Sequence, residues 1–128
     1  MDVSIIETSG LGDRSYLVTH HGIAVVVDPQ RDIDRILNLA EKREVRITHV
    51  LETHLHNDYV TGGLELSRTV GADYAVPAGD DVDYDRRAVT DGDIIDAGPI
   101  HLEVLHTPGH THHHVSYVLR DDTGTVHG

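Results

Sequence analysis

The sequence predicts an α/β sandwich, with sheets inside and helices outside. Three observations lead there. The apolar positions are mainly Val, Ile and Leu, with no Phe or Trp, a choice that suits strands. The run Ile23-Ala24-Val25-Val26-Val27 is continuously apolar rather than alternating, as in a strand covered on both faces. The order of elements is strands, helix, strand, helix, strands, which packs as layers around one core.

The elements follow in order. Val3 to Thr8 reads as a first strand, and Leu11 to Ser15 as a turn around Gly12 and Asp13. Tyr16 to His20 and Ile23 to Asp28 pair about the His21-Gly22 turn, and Asp28-Pro29 ends the second of them. Ile33, Ile36, Leu37 and Ala40 are spaced i, i+3, i+4 and i+7, so they make one apolar helical stripe. Asp32 and Asp34 near its start and Lys42 and Arg43 near its end complement the helix dipole.

Ile47 to Glu52 is the next strand, and Val60 to Val70 a second helix stopped by Gly71. Ala78 to Arg87 is rich in Asp and reads as a solvated loop. Strands resume at Ala88 to Ile95, Ile100 to His106 and Val115 to Leu119. Asp121-Asp122-Thr123-Gly124 signals a turn, and a last strand begins at Thr125. With no internal repeat or linker, residues 1–128 form a single domain.

Composition narrows the function. A formal net charge of -12 argues against a nucleic-acid partner, since binding phosphates takes Lys and Arg. With no cysteine, disulfides, thiolate nucleophiles and Cys metal sites are excluded. Met1 to Ile6 has no basic segment followed by a long apolar run, so no signal peptide is read. The apolar stretch Ile23 to Val27 is too short to span a bilayer. The expectation is a cytoplasmic protein with no membrane partner.

The 12 histidines gather notably in two places. Thr53-His54-Leu55-His56-Asn57-Asp58-Tyr59 lies between a strand end and a helix start. Residues two apart in extended backbone point the same way, so His54, His56 and Asp58 can converge. Two imidazoles and a carboxylate suit Zn or Fe(II). In the second place, Thr107-Pro108-Gly109-His110, Pro108 biases Thr107 toward extended geometry and Gly109 permits a sharp turn. His110 is then a further ligand from a distant loop. His112, His113 and His114 could make a second metal patch, but a strand starting there puts His114 toward one face and leaves the others solvated.

His54-Leu55-His56-Asn57-Asp58 resembles the His-x-His-x-Asp signature of the metallo-β-lactamase superfamily, and Thr107-Pro108-Gly109-His110 its later loop. Asp28-Pro29-Gln30-Arg31-Asp32 and Glu52-Thr53-His54 through Gly62-Gly63 are similar to the persulfide dioxygenase and glyoxalase II branch, most of all to bacterial members often fused to rhodanese domains. The resemblance implies a metallo-β-lactamase-like αββα sandwich with a metal at the sheet edge. In glyoxalase II-like members, residues matching His54, His56 and His110 hold one zinc, and Asp58 and a following His help hold a second metal. Tyr59 stands where that His belongs, so one ion is expected rather than two. In persulfide dioxygenase-like members, residues matching His54 and His110 bind Fe(II) with a later Asp. His56 and Asp58 then act on the ligands or a bound water.

The function this implies is a metal-dependent enzyme of the persulfide dioxygenase type acting on a low-molecular-weight thiol persulfide. The alternatives are a zinc-dependent thioester hydrolase of the glyoxalase II type and a catalytically inactive metal-binding or interaction module. Thr125-Val126-His127-Gly128 resembles the strand before the family's later Asp. The stretch is therefore expected to be a partial domain, truncated before the second half of the sandwich, and to turn over little by itself. The other reading is a short protein completed by a second copy. Val25, Val27, Val50 and Val104 are expected to lie uncovered on the first sheet, which makes a homo-oligomer the expected state.

Overall fold

A computed structural model describes residues 1–7, 14–30, 32–53, 62–77, 87–106 and 115–128. The elements are β1 (Asp2–Glu7), β2 (Arg14–His20), β3 (Ile23–Val27), α1 (Asp34–Lys42), β4 (Arg46–Leu51), α2 (Gly63–Val70), β5 (Asp73–Pro77), β6 (Arg87–Val89), β7 (Ile94–Ala97), β8 (Ile100–His106) and β9 (Val115–Arg120). β1 to β6 form a six-stranded sheet in chain order, and β7 to β9 a three-stranded sheet. β1, β2 and β3 pair antiparallel, whereas β3 to β6 run parallel.

β2 and β3 turn on His21 and Gly22, both with positive φ (49° and 78°). That conformation suits the twist of a two-residue hairpin, and Gly22 takes it without a Cβ penalty. The apolar run of β3 is buried on both faces. Ala24 and Val26 join Leu17, Ile47, Val50, Tyr74 and Val76 against Ile33, Ile36, Ala40 and Leu66 from the helical layer. Val25 and Val27 join Val18, Leu51, Ala75 and Val89 against Ile95, Ile100, Leu102, Val104, Val115 and Leu119 of the second sheet. The described residues thus stack as helices, six-stranded sheet, three-stranded sheet.

This stacking corrects one expectation. Val25, Val50 and Val104 are 0% exposed and Val27 7%. The three-stranded sheet covers Val25 and Val27, while Val50 faces the helices and Val104 lies on the second sheet itself. Among the described residues, then, none of these four valines offers an exposed inter-sheet face for self-association.

α1 begins beside Asp32, whose Oδ1 accepts the Asp34 N–H at 3.2 Å, and ends on Arg43, whose guanidinium donates to Ser4 Oγ at 2.5 Å. α2 stops at Gly71, with φ +71° as its C-terminal position requires. β4 carries a bulge. Ala24 pairs with Ile47 but Val25 with His49, so Thr48 is an extra residue in the ladder.

Two further expectations are corrected. β5 lies where no strand was read, and all of it but Asp73 is buried. Asp, Ala and a terminal Pro are poor strand formers, and a strand buried on both faces shows no alternation. Ala88 to Ile95 is two strands in different sheets, β6 and β7. They are parted by a turn at Asp91-Gly92, where Gly92 has φ +87° and Asp93 Oδ2 accepts the Thr90 N–H at 2.8 Å. After β9, Val126 bridges to Arg120, and Leu119 exchanges backbone bonds with His127 and Gly128, both at 2.8 Å, so that an isolated bridge stands where a strand from Thr125 was expected. Among the described residues no helix is long and apolar enough to cross a membrane.

Candidate functional site

His54, His56, Asp58 and Tyr59, with His110, His112, His113 and His114, lie outside the described residues. The structure describes the strand ends from which these segments depart and to which they return. The first leaves β4 through Glu52 and Thr53 and rejoins at Gly62; the second leaves β8 at His106 and rejoins at Val115.

Thr53 is held from both sides. Its N–H donates to Asp28 Oδ1 at 2.7 Å and its hydroxyl to Asp28 Oδ2 at 2.6 Å. Its carbonyl oxygen accepts the Val115 N–H at 2.9 Å. The residue before His54 and the residue after His114 are therefore joined directly. Hydrogen bonds to an ionised carboxylate are stronger than those between neutral groups, so Asp28 is a firm anchor.

Asp28 has φ +52°, a left-handed conformation that Asp tolerates better than most residues. Its N–H donates to the Leu51 carbonyl at 2.8 Å, and its own carbonyl accepts the Ser15 hydroxyl at 2.6 Å. The sharp turn at the end of β3 thus aims the carboxylate across to the end of β4.

Glu52 is 1% exposed. The Tyr74 hydroxyl donates to its Oε2 at 3.0 Å, and the Tyr117 hydroxyl donates to its carbonyl oxygen at 2.7 Å. Burial above all, then the charges of Asp28 and Glu52, push the Tyr117 pKa well above the ordinary phenol value, which keeps that hydroxyl a donor. At the return of the first segment, the Gly62 N–H donates to the Pro29 carbonyl at 3.1 Å. A Cβ on Gly62 would meet the Gln30 carbonyl oxygen at 2.1 Å, and one on Gly63 the Tyr74 ring at 2.7 Å, so glycine is required at both.

Among the described residues no group of three or more His, Asp or Glu is placed to hold a metal ion. A groove of about 520 Å³ lies at the opposite end of β4, lined by Ile23, Arg46, His49, Asp73 and Asp96. Of the supports, Asp28 and Glu52 open stretches that carry the family resemblance, whereas Tyr74 and Tyr117 carry no motif of their own in the sequence. A further signal is a Glu that follows the apolar pair Val50-Leu51.

Comparison with known proteins agrees with this architecture. The family described as Metallo-beta-lactamase superfamily matches residues 10–128. The chain is 36% identical over 104 residues to a hydroxyacylglutathione hydrolase of Methylobacillus flagellatus, covering 80% of this chain and 41% of the relative. It is 35% identical over 109 residues to the hydroxyacylglutathione hydrolase of Acidiphilium cryptum, covering 84% and 44%. Among solved structures, a metallo-beta-lactamase from Staphylococcus aureus superposes with TM-score 0.84 at 30% identity, covering 98% of this chain and 40% of that one. ETHE1 from Myxococcus xanthus superposes with TM-score 0.83 at 29% identity, covering 93% and 54%. The chain spans about half the length of the curated relatives it matches.

Proposed function

The chain belongs to the metallo-β-lactamase superfamily, and we propose that it forms the metal-binding part of an enzyme that hydrolyses a thioester of a low-molecular-weight thiol. The observation that carries this reading is the Val115 to Thr53 backbone bond, which ties together the chain ends flanking His54 and His110. Similarity to hydroxyacylglutathione hydrolases supports the substrate class. This is the hydrolytic reading of the sequence rather than the persulfide one.

The donor set fits a metal. Three imidazoles and one carboxylate, from His54, His56, His110 and Asp58, match the nitrogen and oxygen ligands of Zn or Fe(II). A bound zinc would lower the pKa of water to about 7 and polarise the thioester carbonyl. His54, His56 and His110 would hold the ion, and Asp58 would orient the attacking water and take up its proton. The carbon–sulfur bond breaks as the carbon–oxygen bond forms, and the proton passes to the departing thiolate.

Tyr59 favours a second reading, a mononuclear iron dioxygenase acting on a thiol persulfide, because a phenol is a poor ligand for a second ion near neutral pH. One experiment separates the two. The protein is purified without oxygen, its metal is analysed, and it is offered a hydroxyacylglutathione and, separately, glutathione persulfide. Zinc with thiol release supports the hydrolase, and iron with oxygen uptake supports the dioxygenase. A protein that holds no metal, and whose His54→Ala variant behaves identically, overturns both.

A further inference from the structure

We infer that Glu52 is a positioning residue, which fixes the direction in which the chain leaves β4 at Thr53 and thereby the strength with which the following segment holds a metal. This rests on the metal-binding reading above.

The argument begins with cost. Glu is almost never fully buried unless paired, because its carboxylate gives up strong hydration. Glu52 nevertheless occupies a 1% exposed position directly after the buried Val50 and Leu51, where a leucine would pack without that cost. What the carboxylate offers in return is direction. The Tyr74 hydroxyl from β5 donates to Oε2 at 3.0 Å, and Tyr74 is itself buried at 5% exposure. Tyr74 fits there because Gly63 has no side chain: a Cβ at that position would lie 2.7 Å from the ring and 2.8 Å from the hydroxyl. Gly63, Tyr74 and Glu52 therefore form one matched set.

The backbone completes the device. The Glu52 N–H donates to the Ala75 carbonyl at 3.0 Å, and the Glu52 carbonyl accepts the Tyr117 hydroxyl at 2.7 Å. The Thr53 N–H goes to Asp28 and the Thr53 carbonyl to Val115. All four polar backbone groups of Glu52 and Thr53 are assigned, to partners on β5, on β9 and at the end of β3. Such constraint one residue before His54 exceeds what ending a strand requires. It suits a segment whose ligands must be delivered in a fixed geometry, since supports of this kind set metal affinity.

The test measures zinc affinity of the metal-free protein by competition with a chromophoric chelator, beside its thermal midpoint. Glu52→Leu is expected to weaken zinc binding about 10- to 100-fold, the usual effect of losing a ligand support. Glu52→Gln, whose amide oxygen still accepts from Tyr74, is expected to restore most of the affinity. Should Glu52→Leu fail to fold, Tyr74→Phe removes only the hydroxyl and is expected to weaken binding several-fold. Variants that melt earlier yet bind zinc as tightly as the parent would overturn the inference and leave Glu52 a purely structural residue. A parent protein that binds no zinc or iron would overturn the metal-binding reading itself, a result distinguishable from the first.

Discussion

The Val115 N–H donates to the Thr53 carbonyl oxygen at 2.9 Å, joining the first residue of β9 to the residue that follows β4 and Glu52. β4 belongs to the six-stranded sheet and β9 to the three-stranded one, so this bond, together with that from the Tyr117 hydroxyl to the Glu52 carbonyl, links the two layers at the edge where both histidine segments begin or end.

Replacing Asp28 should weaken the edge. Its carboxylate accepts both the N–H and the hydroxyl of Thr53. Hydrogen bonds to charged groups contribute about 1.5–3 kcal/mol each, and neighbouring bonds are not additive, so Asp28→Ala is expected to cost about 2–4 kcal/mol. Asp28→Asn should cost less, since Asn tolerates the φ of +52° and keeps one acceptor oxygen. Urea unfolding measures both, and equal losses would show that neither backbone strain nor the retained acceptor matters and that the charge of the carboxylate carries the clamp.

Gly62 and Gly22 should respond differently to alanine. At Gly62 the new Cβ meets a backbone oxygen at 2.1 Å, which no rotamer change relieves. Gly62→Ala is therefore expected to lower stability by about 3 kcal/mol or more, in the range of severe overpacking. At Gly22 nothing lies within 4 Å and only the φ of +78° resists, so the cost is about 1–2 kcal/mol. Thermal midpoints in the reverse order would contradict this steric account.

Tyr59→His should change metal stoichiometry. If Tyr59 is what limits the protein to one ion, an imidazole there is expected to raise bound zinc from about one toward two equivalents under saturating metal. Elemental analysis after gel filtration measures it. An unchanged ratio would place the limit elsewhere in the ligand set.

Acid should spare the turn at Asp121. Hydrogen bonds from His127 first, then Thr123, hold the Asp121 carboxyl well below the usual carboxylate range. The folded state therefore binds this proton more weakly than the unfolded chain. Its contribution is complete above the unfolded value of about 3.9 and is lost only as pH falls through the lower, folded one. Amide resonances of Thr123 and Thr125, both donors to Asp121, should stay in place at pH 4. A titration of those amides centred near 4 would show that the carboxyl is not held.

Much of this architecture is legible in local pattern. The spacing of Ile33, Ile36 and Ala40 marks the buried face of α1, and the unbroken apolar run of β3 announces burial on both sides. The metal-ligand motifs are also written locally, in a few consecutive residues. Their supports are not. Asp28 reaches Thr53 across 25 positions, Tyr74 reaches Glu52 across 22, and Tyr117 reaches Glu52 across 65. No periodicity encodes such partners; only the closed sandwich makes them neighbours. The same holds for β6 and β7, since a pattern of alternating residues does not say which sheet a strand joins.

Thr48, the extra residue in β4, acts as a parity switch for the strand. β3 alternates without interruption, Ala24 and Val26 toward the helices and Val25 and Val27 toward the second sheet. β4 has one residue more than β3 over this stretch and keeps step only because the bulge sets two of its residues against one, so that Val50 faces the helices and Leu51 the second sheet. Since successive strand residues point to opposite faces, a regular ladder that took Thr48 in as an ordinary member, with no bulge, would invert everything downstream. Leu51 would turn toward the helices, and Glu52 and Thr53 would exchange the directions that now carry them to Tyr74 and Asp28. A bulge that touches none of the chemistry thus decides which way the strand end carrying Glu52 and Thr53 is turned.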